Sequence, residues 1–201
     1  MRYEKGRKET SRRRIMKVAA ERFRGDGIAA SGLASIMSDA GLTNGAFYPH
    51  FKSKAELVRE SVAAALEDQS QDLQELLATG GLEAAIATYL SAQHRDHPRK
   101  GCASAALLPE IARQPSKTRT VYAERLLAMV RQVSAALPPQ TQDPEAVALV
   151  VHATLIGALQ LARAVKGTAL SDRILAVAAD AAQALVQPPQ SKTSNLRNKT
   201  S

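Results

Sequence analysis

The segment Ser31–Lys54, SGLASIMSDAGLTNGAFYPHFKSK, constrains the fold more tightly than any other part of this 201-residue chain. It reads as two short helices broken at a glycine, followed by an aromatic and basic run. The Ser31 hydroxyl is placed to accept from a free backbone N–H and start the first helix, on which Leu33, Ile36 and Met37 share one face. Gly41 can take the positive φ that the reversal needs, and Leu42 is the apolar plug beneath it. The second helix starts at Thr43. It turns Thr43, Asn44, Gly45 and Tyr48 outward and Ala46 and Phe47 inward, and Pro49 ends it at about Tyr48. Small and polar groups at a helix N-terminus suit close approach to phosphates and base edges, because the free N–H groups and the dipole both attract anions. A unit of this shape fits a DNA groove.

Charge supports that reading. Residues 1–24 hold ten lysines and arginines against three acids, whereas residues 61–187 hold eleven against twelve. The positive charge is therefore local, where a polyanion would lie, although a solvated basic face is the plainer explanation of a charge run taken alone.

A helix with Ile15, Val18, Ala19 and Phe23 on one face, followed by GDGIAASGLASIMSDAGLTNGAFYPHFKSKAELV from Gly25 to Val58, resembles the N-terminal domain of the TetR family of bacterial transcriptional regulators, AcrR-like members included. The Phe23-x-x-x-Gly27 spacing, the AGLTNGAFY run and the FKSKAEL start of the next helix carry the resemblance, over about a third of the chain. Met37 departs from the family pattern by standing where alanine is common. Pro49 departs too, where His, Arg or Trp often follows the tyrosine.

The resemblance implies that Thr43, Asn44, Gly45 and Tyr48 meet DNA, with Asn44 the base reader through a bidentate pair with adenine. Ser31, Tyr48, His50 and Lys54 would take phosphate oxygens. Phe47 and Phe51 are expected to fill the small three-helix core, and Tyr48 is balanced between core edge and DNA contact.

The remaining sequence is Ala- and Leu-rich with few alternating β-branched runs, so the expected class is all-α: a helix-turn-helix domain at 1–53, an effector-binding and dimerisation domain at 54–187, and a disordered basic tail at 188–201. A linker helix from Lys54 to about Leu77 breaks at Thr79-Gly80-Gly81. Further helices are expected near 82–95, 102–114, 117–137, 144–166 and 171–187. No internal repeat, phosphate-cradling glycine loop or nucleophile elbow is present, and no cofactor is expected. No run approaches ~20 uninterrupted apolar residues and the N-terminus lacks an apolar signal core, so the expectation is a cytoplasmic protein without a membrane partner.

Val147–Val165 and Leu170–Val186 are apolar on nearly all sides. Periodicity leaves open that the two are simply the domain's core; the resemblance implies a four-helix homodimer interface, with Gly157 allowing close approach and Leu155, Leu159 and Leu175 as knobs. Two recognition helices related by a two-fold axis would read a palindromic operator. Release would come from a small apolar or amphipathic inducer in a cavity near Tyr89, His94, Leu107, Ile111, Tyr122, Leu126, Met129 and His152, each also a reasonable core residue.

Cys102, the only cysteine, stands at an expected helix N-terminus just after Arg99 and Lys100, a setting that favours thiolate and redox or electrophile sensing. Its plainer role is a small buried apolar residue. No internal disulfide is possible, though two subunits could be joined. Two other classes bear on the chain. His94, Asp96 and His97 superficially suggest a metal enzyme, but Pro98 ends their helix and facing ligands are missing, so neither metal nor enzyme is expected. A non-specific nucleic-acid coat is weakened by an aromatic content of 3%.

Overall fold

The computed structural model describes residues 2–187, and the tail expected to be disordered lies outside the described residues. Eight α-helices are described: α1 (Arg2–Asp26), α2 (Leu33–Asp39), α3 (Lys54–Tyr89), α4 (Ala92–Asp96), α5 (Ala103–Ile111), α6 (Ser116–Ala136), α7 (Pro144–Ala164) and α8 (Ala169–Val186). Short 3₁₀ turns lie at Asn44–Ala46 and Pro98–Lys100, and no strand occurs among the described residues.

α1 stops where Gly27 takes φ 86° and donates its N–H to the Phe23 carbonyl at 2.9 Å, which explains the Phe-x-x-x-Gly spacing. Ile15, Ala19 and Phe23 are fully buried beneath it with Ile36, Met37, Phe47 and Phe51. After α2, Gly41 at φ 65° donates to Ser38 and Leu42 donates to Met37, both at 2.9 Å. That pair of bonds is a Schellman closure. The N-terminal core does not close on itself: Leu57, Val58, Val62 and Leu66 of α3 and Leu107 and Ile111 of α5 belong to it.

α3 starts on a cap in which Ser53 Oγ accepts from the Glu56 N–H at 3.2 Å while the Glu56 carboxylate accepts from the Lys52 N–H at 2.7 Å. It runs out of the DNA-binding half and turns at Gly81, where φ is 67° and ψ −168°. The expected break is therefore present. The expected helix at 82–95 is shorter, because the chain leaves helical geometry at Leu90 and restarts at Ala92 with Ser91 as the cap.

α5 contains Pro109, which cannot bond to the carbonyl of Ala105; Gln160 Nε2 of α7 donates to that carbonyl instead at 3.1 Å. α7 and α8 pack side by side, tied by the buried Ser171 hydroxyl, which donates to the Ala162 carbonyl at 2.7 Å.

α7 is long and apolar enough to span a bilayer by length and composition. Its polar residues nevertheless meet protein: Gln160 reaches α5, and the Arg163 guanidinium donates to the carbonyls of His94 at 2.9 Å and Arg95 at 3.2 Å.

The apolar residues that α7 and α8 leave open are Leu149, Val150, Leu161, Leu170, Val177 and Leu185, with Leu161 61% exposed. Gly157 lies among them, with no atom within 4 Å of the place a β-carbon would take. Leu159 and Leu175 are instead fully inside the protomer's own core, and Leu155 turns toward the interior cavity. The expectation that these three leucines face outward is thus corrected. On helices apolar nearly all round, periodicity gives the spacing of the stripes but not which stripe the rest of the chain covers.

Candidate nucleic-acid interface and ligand cavity

Residues 43–48 project from the N-terminal domain. Thr43, Asn44 and Gly45 are exposed and Tyr48 is 72% exposed, while Phe47 is buried and meets the Tyr48 ring edge-on at 5.4 Å. The outward and inward sets are those expected. The helix is not: only Asn44–Ala46 is regular, and as a 3₁₀ turn, with Ala46 bonded to Thr43 and Phe47 to Asn44. Pro49 offers no N–H to lengthen it, and His50 and Phe51 both donate back to the Phe47 carbonyl.

Ser31 departs from its expected role. It is fully buried and its hydroxyl donates to the Gly27 carbonyl at 2.7 Å, so Gly32 caps α2 without a side-chain bond. A hydroxyl used this way holds the turn before α2 and is not offered to a phosphate.

His50 is half-buried, its Nδ1 unpartnered, and burial with the charges of Lys8 and Arg12 holds its pKa below the ordinary histidine value. Lys54 is half-buried at the start of α3, beside a groove it shares with Ile28, Val58, Glu110 and Arg113.

Two residues that position this surface escaped the sequence reading. Arg12 donates to the His50 carbonyl at 2.6 Å, pairs with Glu60 and lies 4.2 Å over the Phe51 ring, pinning the end of the recognition turn to α1 and α3. Glu110 of α5 accepts from the Ile28 N–H at 3.1 Å and the Ala29 N–H at 3.0 Å. A glutamate bonded to backbone 81 and 82 residues away leaves no periodic signal. The same region is held a second time by Arg99, which pairs with Asp26 at 2.6 Å while its carbonyl accepts from Arg24 at 2.7 Å. The turn before α5 thus grips the end of α1, and the last turn of α5 grips the segment that follows it.

On the far side lies a cavity of about 820 Å³ between the distal part of α3, the Gly101–Cys102 corner, α6 and α7. Tyr89, His94, Met129 and His152 line it, as expected, and so does Cys102. Leu107, Ile111, Tyr122 and Leu126 do not; they pack in the core shared by the N-terminal helices, α3, α5 and α6, with Tyr122 donating to the Ser104 hydroxyl at 3.0 Å. Their spacing marks a buried face but not what is buried against it.

His94 fixes the corner of this cavity. Its Nε2 accepts from the Cys102 N–H at 2.9 Å, so the ring proton sits on Nδ1, which faces the Tyr89 carbonyl at 2.7 Å. Burial and then the Arg163 charge hold the ring neutral, with its pKa below the ordinary value. Both ring nitrogens are used. Asp96 pairs with Arg95, whose hydrogen bond holds its carboxyl down to about 2, and with Lys166 at 3.2 Å. Among the described residues no group of three His, Cys, Asp or Glu side chains is set for a metal ion.

Cys102 is buried as the N-cap of α5, with Sγ accepting from the Ala105 N–H at 3.5 Å. Arg99, expected beside the thiol, turns away to Asp26; the guanidiniums within electrostatic reach are those of Arg24 and Arg163.

Residues 15–61 match the family model of bacterial regulatory proteins of the tetR family. No curated protein matches the sequence. Among solved structures, the reduced form of NemR from E. coli is 19% identical, with 90% of this chain and 99% of that chain covered and a TM-score of 0.75. A TetR-family regulator from Cytophaga hutchinsonii is 19% identical over 90% and 98% at a TM-score of 0.74, and one from Agrobacterium tumefaciens 20% over 87% and 98% at 0.72. Likeness at this identity establishes the shared fold, and the helix-turn-helix match establishes the kind of domain at its N-terminus. Residues 15–61 thus form an N-terminal domain of the kind found in bacterial regulatory proteins of the tetR family, and the chain as a whole shares the fold of the TetR-family regulators to which it is similar.

Proposed function

We propose that this protein is a homodimeric repressor that binds a palindromic operator and leaves it when a small amphipathic inducer fills the cavity. The observation that carries the reading is the reach of α3. Its first residue, Lys54, follows the recognition turn closely in sequence, and its distal residues from Gln69 to Tyr89 contribute to the cavity wall.

An inducer that widens the cavity would swing this helix and change the separation of two recognition turns, which must match successive major grooves at roughly 34 Å. Release requires that inducer affinity differ between the two separations. The apolar stripe through Leu149, Gly157, Leu161 and Val177 is the surface for the second copy. Residues 1–53 serve DNA and 54–187 serve inducer and partner, in the cytoplasm. Thr43, Asn44, Gly45 and Tyr48 face the groove, with Asn44 reading the base, and His50 and Lys54 flank it toward the phosphates.

Selection of bound sequences from a random duplex pool at moderate salt tests this. A palindrome is expected. Enrichment of no sequence would replace the reading with non-specific nucleic-acid binding.

A second reading rests on the place of Cys102 in the cavity wall: oxidation or alkylation of the thiol would itself act as the inducing event. The similar NemR structure is described as a reduced form. Native protein treated with iodoacetamide and weighed by mass spectrometry should gain one adduct and lose operator affinity. Labelling only after denaturation ends this reading.

A further inference from the structure

Three residues of the cavity lining hold a buried polar atom without a partner, Gln69 at Oε1, Tyr89 at its hydroxyl and His152 at Nδ1. The His152 ring lies by the Ala148 backbone of its own helix, whereas Gln69 and Tyr89 stand at the Gly101–Cys102 corner. These two differ in what they need. The Gln69 amide is oriented by Nε2, which donates to the Gly101 carbonyl at 3.0 Å. Turning it over would set two carbonyl oxygens together, so the atom left over is a pure acceptor. The Tyr89 phenol is protonated at neutral pH, because burial and the Cys102 thiol beside it push its pKa well above the usual range. It is therefore a donor, and a thiol is too weak an acceptor to satisfy it.

Both groups flank one strip of wall. Gln69 reaches it through Gly101; Tyr89 reaches it through His94, whose ring stands edge-on to the phenol at 4.7 Å and is bonded to Cys102. His94 has no ring nitrogen left for a ligand. The charged groups of the lining are Asp72, Glu75 and Lys100, all exposed, so among the lining residues no buried cation awaits an anion. Leu73, Leu76, Ile86, Met129, Val133 and Leu155 supply an apolar floor.

We infer that the cavity selects an uncharged amphipathic molecule bearing a hydrogen-bond donor and an acceptor at one end of an apolar body, the donor meeting Gln69 Oε1 and the acceptor meeting the Tyr89 hydroxyl. This rests on the reading of the cavity as the inducer site. A primary amide is the smallest common group that offers both. A carboxylate offers acceptors only and would oppose Gln69 Oε1, and the guanidinium near this corner, Arg163, is already held by the His94 and Arg95 carbonyls.

The full chain should be titrated calorimetrically with three probes of one shape: 4-butylbenzamide, 4-butylbenzoate and 4-butyltoluene. The amide is expected to bind about tenfold more tightly than either of the others, as loss of one hydrogen bond commonly costs about tenfold. Gln69→Leu and Tyr89→Phe should each remove most of that advantage and leave hydrocarbon binding unchanged. Tyr89→Phe deletes a single atom, so it answers the question if Gln69→Leu does not fold. Leu155→Trp, which fills the cavity, should abolish binding of all three.

Equal or tighter binding of the benzoate, still lost in Leu155→Trp, would overturn the ligand class and leave the cavity reading standing. Binding that survives Leu155→Trp, or no binding of any probe, would overturn both.

Discussion

The side chain of Asn44 is free of the fold, whereas that of Ser31 is consumed by it, and this contrast sorts the candidate DNA contacts. Asn44→Ala should relax base choice at one operator position, since a bidentate amide pair is worth about 1–3 kcal/mol of discrimination. Lys54→Ala should weaken binding to every sequence alike and flatten the salt slope by about one unit. Mobility shifts on operator and scrambled duplexes over a salt series separate these outcomes, and unchanged base preference in Asn44→Ala would remove its reading role.

His94 gives a prediction of a different kind. Its folded pKa lies below the unfolded value, so its contribution to stability is present above about pH 6.5 and is lost as pH falls below that value toward the folded pKa. Protonation would set a second N–H against the Cys102 N–H, with Tyr89 and Arg163 the other ionisable neighbours. Thermal midpoints from pH 7.5 to 5 should fall more steeply in the native sequence than in His94→Gln. His50 and His152 carry shifts of the same sign, so the difference between the two proteins is the informative quantity.

Among the elements, α5 has the greatest leverage for its nine residues. Cys102 at its start is cavity wall, and Glu110 near its end holds two N–H groups of the turn that leads into the helix-turn-helix. Glu110→Ala leaves both donors without that acceptor and should cost about 1–3 kcal/mol in a denaturant melt. It should also weaken the effect of any inducer on operator affinity, which a purely structural loss would not do.

The sequence reading succeeded where the determinants are local. Gly41 and Gly81 take positive φ where the pattern demanded a reversal, and Phe23 and Gly27 meet through a single hydrogen bond. It failed where the answer depends on what approaches from elsewhere: Leu159 and Leu175 turned inward, and Leu107 and Tyr122 joined the shared core instead of the cavity. Arg12 and Glu110 were missed for the same reason, since their partners lie 38 to 82 residues away.

At the scale of the whole molecule, the open apolar stripe lies on α7 and α8 and the basic run on α1, separate elements of one chain. If the stripe is the dimer seam, a charge placed there should break the assembly without touching DNA chemistry. Leu161→Glu is expected to sediment as a monomer and to lose operator binding by at least tenfold, because one recognition turn reads too short a site. Leu159→Glu, from the buried neighbouring stripe, should instead fail to fold. A Leu161→Glu protein that remains dimeric would place the seam elsewhere.

The turn in α3 bears on how such a molecule can change over time. Nothing lies within 4 Å of where a β-carbon would stand on Gly81, so the glycine is there for its torsion and not for room. The bend sets how far the two arms of α3 stand apart, while Gln69, Tyr89 and their neighbours set what the space between them attracts. Capacity and selectivity are therefore inherited through different codons: drift at residue 81 would resize the chamber with its chemistry intact, and drift along its walls would change its taste at constant size.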